Sequence, residues 1–133
     1  MNKYMNMALK EAEKAINNDD VPVGAVIVEN GKVIAKAYNT REKQNNVIRH
    51  AEINALEKAC KKKNNWYLND CEIYVTLEPC KMCVGAIEQA RIKKIYYAAK
   101  SEKPLPHKPI FKKIDDNDQS QNMLKTFFEN KRK

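Results

Sequence analysis

The 133-residue sequence predicts an α/β fold in which helices cover the faces of a mixed β-sheet. Segments with apolar residues at helical spacing alternate with short segments rich in β-branched and aromatic residues, in the order α-β-β-α-β-α-β-(β)-α. An Asn-Gly pair between the first two strands predicts a β-hairpin. The length and the 43% hydrophobic content fit one domain, residues 1–133, with a core of its own.

The elements follow from periodicity, turn residues and helix-breaking residues. Asn2 is a candidate N-cap for the first helix, whose apolar residues recur from Tyr4 to Ile16. In the terminal helix we expect Met123, Leu124, Phe127 and Phe128 to face inward, and the prolines from Pro104 to Pro109 predict a loop. The predicted helices are 2–17, 51–62, 81–90 and 119–131, the predicted strands are 22–28, 33–38, 72–77, 92–99 and 110–114, and residues 39–47 are predicted as a loop.

The chain is strongly basic, with a net charge of +8 and a pI near 9.3. This balance indicates an anionic partner, of which nucleic acid is the usual one, although lysine-rich surfaces also serve solubility alone. The longest mainly apolar run, around residues 21–28, is too short to cross a membrane. The N-terminus lacks the pattern of a signal peptide, and we therefore expect a cytoplasmic protein.

Two short motifs, His50-Ala51-Glu52 and Pro79-Cys80-Lys81-Met82-Cys83, each open a predicted helix. Cys80 and Cys83 are one helical turn apart, so both thiols can face one point. A helix N-terminus stabilises negative charge and lowers a thiol pKa toward the thiolate that zinc needs. His50 supplies a neutral nitrogen, which makes three candidate zinc ligands.

Three protein ligands indicate a catalytic zinc, because structural zinc sites are closed by four. Cys60 and Cys71 do not obviously complete a fourth position, and we expect both to be small core residues. The other histidine, His107, lies in the proline loop. Structural zinc and free thiols remain the alternatives.

Glu52 lies two residues from a ligand and is not needed to bind the metal. A carboxylate there can take a proton from an activated water and pass it to a nitrogen leaving group. A lone Cys-x-x-Cys or His-x-Glu is a weak signal. The joint pattern His-x-Glu with Pro-Cys-x-x-Cys, however, is the known signature of zinc-dependent nucleobase deaminases.

At these residues the sequence resembles the bacterial tRNA-specific adenosine deaminases of the cytidine/deoxycytidylate deaminase superfamily. The resemblance covers most of the chain and is densest over residues 77–87, between Leu77-Glu78-Pro79 and Gly85-Ala86-Ile87. It implies a three-layer α/β/α cytidine-deaminase-like fold, a homodimer with one zinc ion per subunit, and conversion of the wobble adenosine of an arginine tRNA to inosine. It also implies that the substrate base is presented by an anticodon loop.

The resemblance also implies roles for single residues. His50, Cys80 and Cys83 match the family's zinc ligands, and Glu52 matches its proton shuttle. Asn39 matches the asparagine that hydrogen-bonds the flipped base, and the C-terminal Phe-Phe helix resembles the family's tRNA-holding helix. The remaining base-pocket positions are Val23, Ala51, Glu78 and Pro79, and the candidate RNA contacts are Arg49, Lys103, Phe127, Phe128, Lys131 and Arg132.

Three departures from the family pattern lie at positions that would contact the substrate. Asn46-Val47-Ile48-Arg49 replaces the usual Asp-Pro-Thr-Ala, Ser101 stands where an aspartate is usual, and the segment before the Phe-Phe helix is shorter. These departures leave two alternatives open. One is a deaminase of a free base or nucleoside such as guanine, cytosine or cytidine, and the other is a non-catalytic RNA-binding subunit with structural zinc.

Overall fold

Helices and strands follow one another largely in the predicted order in the computed structural model, which describes residues 2–102 and 111–131. Asn2 caps the first helix, as predicted, by accepting hydrogen bonds from the backbone N–H groups of Tyr4 and Met5. The helices are α1 (Lys3–Ile16), α2 (Arg41–Gln44), α3 (Ala51–Lys63), α4 (Lys81–Gln89) and α5 (Gln119–Lys131), and the strands are β1 (Gly24–Glu29), β2 (Lys32–Tyr38), β3 (Cys71–Leu77), β4 (Lys94–Ala99) and β5 (Phe111–Lys113).

The five strands form one mixed sheet in the order β2-β1-β3-β4-β5. β1 is antiparallel to both β2 and β3, whereas β3, β4 and β5 are parallel. Asn30 and Gly31 join β1 to β2 with φ angles of 48° and 80°, the left-handed backbone that a tight hairpin turn needs. The predicted α/β class, the mixed sheet and the hairpin are therefore confirmed.

Helices cover both faces of the sheet, because successive strand residues point to opposite sides. Ala25 and Ile27 of β1 pack in the cluster that contains α3 and Ile87 of α4. Val26 and Val28 pack on the other face in the cluster with α1, and α5 lies in the same layer as α1, in contact with β3 and β4. This is the three-layer α/β/α arrangement that the family resemblance implied.

The close packing of α1 on β1 requires a glycine at position 24. A Cβ atom on Gly24 would overlap the carbonyl oxygen of Ala8 and the backbone nitrogen of Ala12. The contact brings α1 against the start of β1, next to Val23. No helix in the described ranges is long and apolar enough to cross a membrane.

Two local predictions were wrong. Residues 41–44, predicted as loop, form the one-turn helix α2, because Asp20 accepts hydrogen bonds from the backbone N–H groups of Glu42 and Lys43. Phe128 is 45% exposed, because its neighbour Phe127 takes the inward position and adjacent helical residues point about 100° apart.

Candidate active site

The N-termini of α3 and α4 meet at the end of β3 and bring the two sequence motifs together. His50 is the N-cap of α3, Cys80 is the N-cap of α4, and Cys83 lies in the first turn of α4. The Sγ atoms of Cys80 and Cys83 lie 3.7 and 3.5 Å from His50 Nδ1. The three donor atoms all lie within 4.8 Å of one another, and this is the single candidate metal group found among the described residues.

This donor set fits zinc. Two thiols and one imidazole nitrogen suit a borderline-soft divalent ion, and three protein ligands leave a coordination position free. Neither His50 nor Cys80 caps its own helix with its side chain, so the first-turn N–H groups remain available to stabilise negative charge at the site. Cys71 begins β3, whereas Cys80 follows its end, so the length of the strand separates their thiols.

The two cysteine thiols titrate in opposite directions. Hydrogen bonds from Cys83 and His50 lower the pKa of Cys80 to about 3. The hydrogen bond to Cys80, together with burial, raises the pKa of Cys83 above its ordinary range. The hydrogen bond to Cys80 also raises the pKa of His50. These shifts favour the thiolate at Cys80 and the protonated forms of Cys83 and His50, so a metal that binds all three competes with protons.

Glu52 is buried beside the metal-binding group. It lies in the first turn of α3 and is 4% exposed. Burial raises the pKa of Glu52 to about 7, against the opposing effects of a backbone hydrogen bond and the nearby His50. A carboxyl group with this pKa both accepts and donates a proton near neutral pH, as a proton shuttle must.

A cavity of about 190 Å³ lies in front of this group. Its lining includes four of the predicted base-pocket residues, namely Val23, Asn39, Ala51 and Glu78, together with His50, Glu52 and Cys80. Pro79, the fifth predicted pocket residue, is buried between Glu78 and Cys80 and does not line the cavity.

Asn39 already makes two hydrogen bonds inside the protein. Its Nδ2 donates to the carbonyl oxygen of Val21, and its Oδ1 accepts from the backbone N–H of Arg41. A primary amide has a second N–H and a second lone pair. Asn39 therefore retains one donor and one acceptor for a base, while the two internal bonds fix its orientation.

Glu78 holds the segment that follows β4. Its backbone N–H donates to the carbonyl oxygen of Ala99, and its Oε1 accepts from the backbone N–H of Ser101. Glu78 is itself buried. Its carboxylate thus fixes the wall of the cavity at the point where Ser101 replaces the family's aspartate.

A larger groove of about 640 Å³ runs along α5 beside the cavity. Val21, Leu77 and Ser101 line both spaces, so the two are adjacent. The groove also contains the exposed ring of Phe128, whereas Phe127 is 8% exposed and faces the interior. The other groove residues are Lys100, Glu102, Gln121, Leu124, Lys125 and Glu129.

The remaining candidate RNA contacts are placed differently. Lys131 forms an ion pair with Asp19 at the end of α1 and lies over the ring of Phe127. The Arg49 side chain is 14% exposed and forms an ion pair with Glu57 of α3. Lys103 and Arg132 lie outside the described residues. RNA contact by these side chains stays a prediction.

Three side chains near the site were not predicted from the sequence. Arg41 lines the cavity. Asp20 is buried and holds α2 by its two hydrogen bonds. Asn54 of α3 bonds to the chain around Asn39, as described below. In the sequence, Asp20 was recognisable only as an acidic residue beside a buried segment. Nothing in the sequence pattern distinguished Asn54 from a solvent-facing helical residue.

Comparison with known proteins identifies a deaminase family. The chain matches the MafB19-like deaminase family over residues 1–132. It is 50% identical over 101 residues to a tRNA-specific adenosine deaminase of Rickettsia bellii (strain RML369-C), which covers 74% of this chain and 70% of that protein. The aligned part of the chain spans 75% of a tRNA-specific adenosine deaminase of Aquifex aeolicus (strain VF5) and 58% of one of Streptococcus pyogenes serotype M3 (strain ATCC BAA-595 / MGAS315).

Solved structures are similar over most of the fold. One comes from a study of A-to-I editing by tRNA A34 deaminases at the wobble position of transfer RNA, with 38% identity, a TM-score of 0.76 and coverage of 84% of this chain and 96% of that one. Another is a guanine deaminase from Bacillus subtilis, with 31% identity, a TM-score of 0.70 and coverage of 99% of this chain and 94% of that one.

Proposed function

Because the chain belongs to the MafB19-like deaminase family and has tRNA-specific adenosine deaminases among its relatives, we propose that it converts adenosine to inosine at the wobble position of a tRNA, as a zinc-dependent hydrolase. The observation that carries this proposal is that the 190 Å³ cavity, lined by Glu52, His50 and Cys80, lies next to the 640 Å³ groove along α5 and shares Val21, Leu77 and Ser101 with it. The cavity has room for one base, and the groove has room for the chain attached to it.

His50, Cys80 and Cys83 would hold the zinc ion. When bound, zinc supplies a Lewis acid that makes water nucleophilic near neutral pH. Glu52 would accept one proton from the attacking water and pass it to the ring nitrogen, and would then take the second proton from the newly added hydroxyl and pass it to the leaving amine. A C–O bond forms, the exocyclic C–N bond breaks, and ammonia departs.

Val23, Asn39, Ala51, Glu78 and Pro79 form or support the base pocket in this proposal. Asn39 supports base recognition, because it lines the cavity and a primary amide can make one further donated and one further accepted hydrogen bond beyond the two it makes internally. A base can enter only when it leaves its stack, which favours an unpaired anticodon loop over a duplex. In the groove, Phe128 provides a stacking surface, and Lys100 and Lys125 provide positive charge for phosphates.

Similarity to a guanine deaminase of Bacillus subtilis supports a second candidate, deamination of a free base. That reaction uses the same zinc and glutamate chemistry and needs only the cavity. Cytosine and cytidine belong to this alternative as well. A non-catalytic RNA-binding subunit is the third alternative, and the presence of Glu52 argues against it.

An arginine tRNA anticodon stem-loop with a wobble adenosine is the substrate that tests the proposal. We expect the zinc-loaded protein to convert this adenosine to inosine, and to leave free guanine, cytosine, cytidine and adenosine largely unchanged. Turnover of a free base without the stem-loop would instead establish the second candidate. No ammonia from any of these substrates would favour the non-catalytic subunit.

We propose further that residues 1–133 form one deaminase domain, which assembles as a cytoplasmic homodimer with one zinc ion per subunit. Sedimentation or light scattering of the zinc-loaded protein measures the assembly, and metal analysis measures the stoichiometry. A monomer that deaminates at full rate would remove the dimer from the proposal and leave the chemistry intact.

A further inference from the structure

The loop between β2 and α3, residues 39–50, begins with Asn39 and ends with His50. Its two ends meet, because the backbone N–H of Thr40 donates to the carbonyl oxygen of Arg49 at 3.0 Å. The position of the base-pocket residue relative to the first metal ligand therefore depends on how this loop is held.

Asn54 of α3 lies one turn after His50 and contacts the chain on both sides of Asn39. Its Nδ2 is 2.9 Å from the carbonyl oxygen of Tyr38 and 2.9 Å from Thr40 Oγ1. The Tyr38 carbonyl belongs to the peptide unit that leads into Asn39. The Nδ2 group thereby fixes the backbone just before and just after the base-pocket asparagine.

The other end of the same amide holds the residue before His50. Asn54 Oδ1 accepts a hydrogen bond from Arg49 Nη1 at 3.1 Å. Arg49 Nη2 donates to Glu57 Oε1 at 2.6 Å, so the guanidinium is attached to α3 at two points. Arg49 Nε is buried without a hydrogen-bond partner among the described residues. Burying an unpaired donor is unfavourable, so Arg49 adds less to stability than its two bonds suggest.

We propose that Asn54 is a positioning residue that sets Asn39 relative to His50. Its Nδ2 holds the Asn39 end of the loop by two bonds of 2.9 Å and makes a longer contact of 3.4 Å with the Arg49 carbonyl oxygen. Its Oδ1 holds the His50 end through the Arg49 guanidinium. The Asn39 part of this inference rests on the proposed function, whereas the His50 part concerns metal binding alone. The Asn39 part predicts a change in KM and the His50 part predicts a change in zinc affinity, and a merely structural role would not separate the two.

The variant Asn54→Asp removes the Nδ2 donor and keeps an oxygen for Arg49. We expect the KM for the stem-loop to rise about tenfold, because Tyr38 and Thr40 lose their donor and the backbone that carries Asn39 is held less firmly. Zinc affinity should stay within about twofold of wild type. Arg49→Ala removes only the His50 half, and we expect zinc affinity to fall about 10- to 100-fold. With zinc saturating, its KM should change less than about threefold.

Ser120→Ala is the matched control. Ser120 is buried, and its hydroxyl donates to Asp116 at the start of α5. This variant also removes one buried hydrogen bond, so we expect a lower Tm with unchanged KM and zinc affinity. Zinc affinity is measured by competition with a chromophoric chelator, which needs no turnover.

The inference is overturned if Asn54→Asp and Arg49→Ala lower Tm but match Ser120→Ala in both KM and zinc affinity. It is also overturned if the two variants change the same quantity. A wild-type protein that deaminates no RNA would refute the proposed function. The chelator competition would then still decide the His50 half, because wild-type zinc affinity in Arg49→Ala contradicts it.

Discussion

Burial gives the carboxyl group of Glu52 a pKa very different from that of Cys80, one of the candidate metal ligands. The pKa of Glu52 is raised to about 7 because its charged form has lost solvent, whereas hydrogen bonds lower the pKa of Cys80 to about 3. One group can therefore move protons near neutral pH, and the other is ready to bind a cation. These opposite shifts suit Glu52 to the proposed proton transfer and Cys80 to the proposed metal binding.

Replacement of Glu52 by Gln tests this separation of tasks. The amide keeps the volume of the side chain but cannot accept and return a proton, so we expect deamination to fall by at least about 10²-fold. Zinc content should remain at the wild-type level, because Glu52 is not among the three grouped donors. Glu13→Gln, at an exposed position of α1, is the control and should keep full activity. Loss of zinc from Glu52→Gln would show that the carboxylate is a ligand.

The opposite shifts of the cysteines predict how zinc affinity depends on pH. The raised pKa values of Cys83 and His50 mean that protons compete with a metal for both side chains. Affinity should therefore rise with pH, by about one log unit per pH unit for each displaced proton. Chelator competition between about pH 6 and pH 8 measures the slope. A flat profile would contradict protonated ligands in the metal-free site.

At the scale of the helix, α5 presents two adjacent phenylalanines to different surroundings. Phe127 faces the interior and Phe128 faces the groove. We expect Phe127→Ala to destabilise the fold by about 3 kcal/mol and to lower Tm. Phe128→Ala should leave Tm almost unchanged and raise the KM for the stem-loop several-fold, since it removes a stacking surface.

Thermal unfolding and stem-loop kinetics of the two variants distinguish these effects. Free-base turnover, if any is detectable, should not respond to Phe128→Ala, because the ring lines the groove and not the cavity. A loss of Tm in Phe128→Ala equal to that in Phe127→Ala would assign both rings to the core.

Elements whose signals are local were predictable from the sequence. The Asn30-Gly31 turn requires φ above zero at both residues, which few other pairs adopt, and Asn2 caps α1 through its own neighbours. The helix α2 was not predictable, because its stabilising carboxylate comes from Asp20, more than twenty residues earlier. The outward position of Phe128 depends on where α5 meets the sheet, which hydrophobicity alone does not specify.

The candidate site likewise contains features with a local sequence signal and features that depend on the fold. The spacing of Cys80 and Cys83 on one helical turn, with His50 at another helix start, was enough to predict that the three side chains meet. The roles of these residues and of Glu52 stay predictions until they are measured. The Asn54 network was not predictable, because its partners, the Tyr38 carbonyl and the side chains of Thr40 and Arg49, are brought near Asn54 only by the fold.

At the scale of the whole molecule, the proposed function assigns the base to the cavity and the attached RNA chain to the groove. The cavity contains buried polar groups that suit one base, while the groove contains Phe128, Lys100 and Lys125 on a chain of net charge +8. A free base would bind in the cavity and make no contact with the groove. An RNA would use both, so its binding should carry an electrostatic contribution that a free base lacks.

Salt dependence measures that contribution. Each phosphate neutralised on a single strand contributes about −0.7 to the slope of log K against log salt, so contacts from Lys100 and Lys125 alone predict a slope of about −1.4 for the stem-loop. Lys100→Ala and Lys125→Ala should each reduce its magnitude by about 0.7, whereas Lys10→Ala, at an exposed position of α1, should not. Fluorescence anisotropy of a labelled stem-loop provides the binding constants. A slope near zero would place recognition in the cavity alone and favour a free base as substrate.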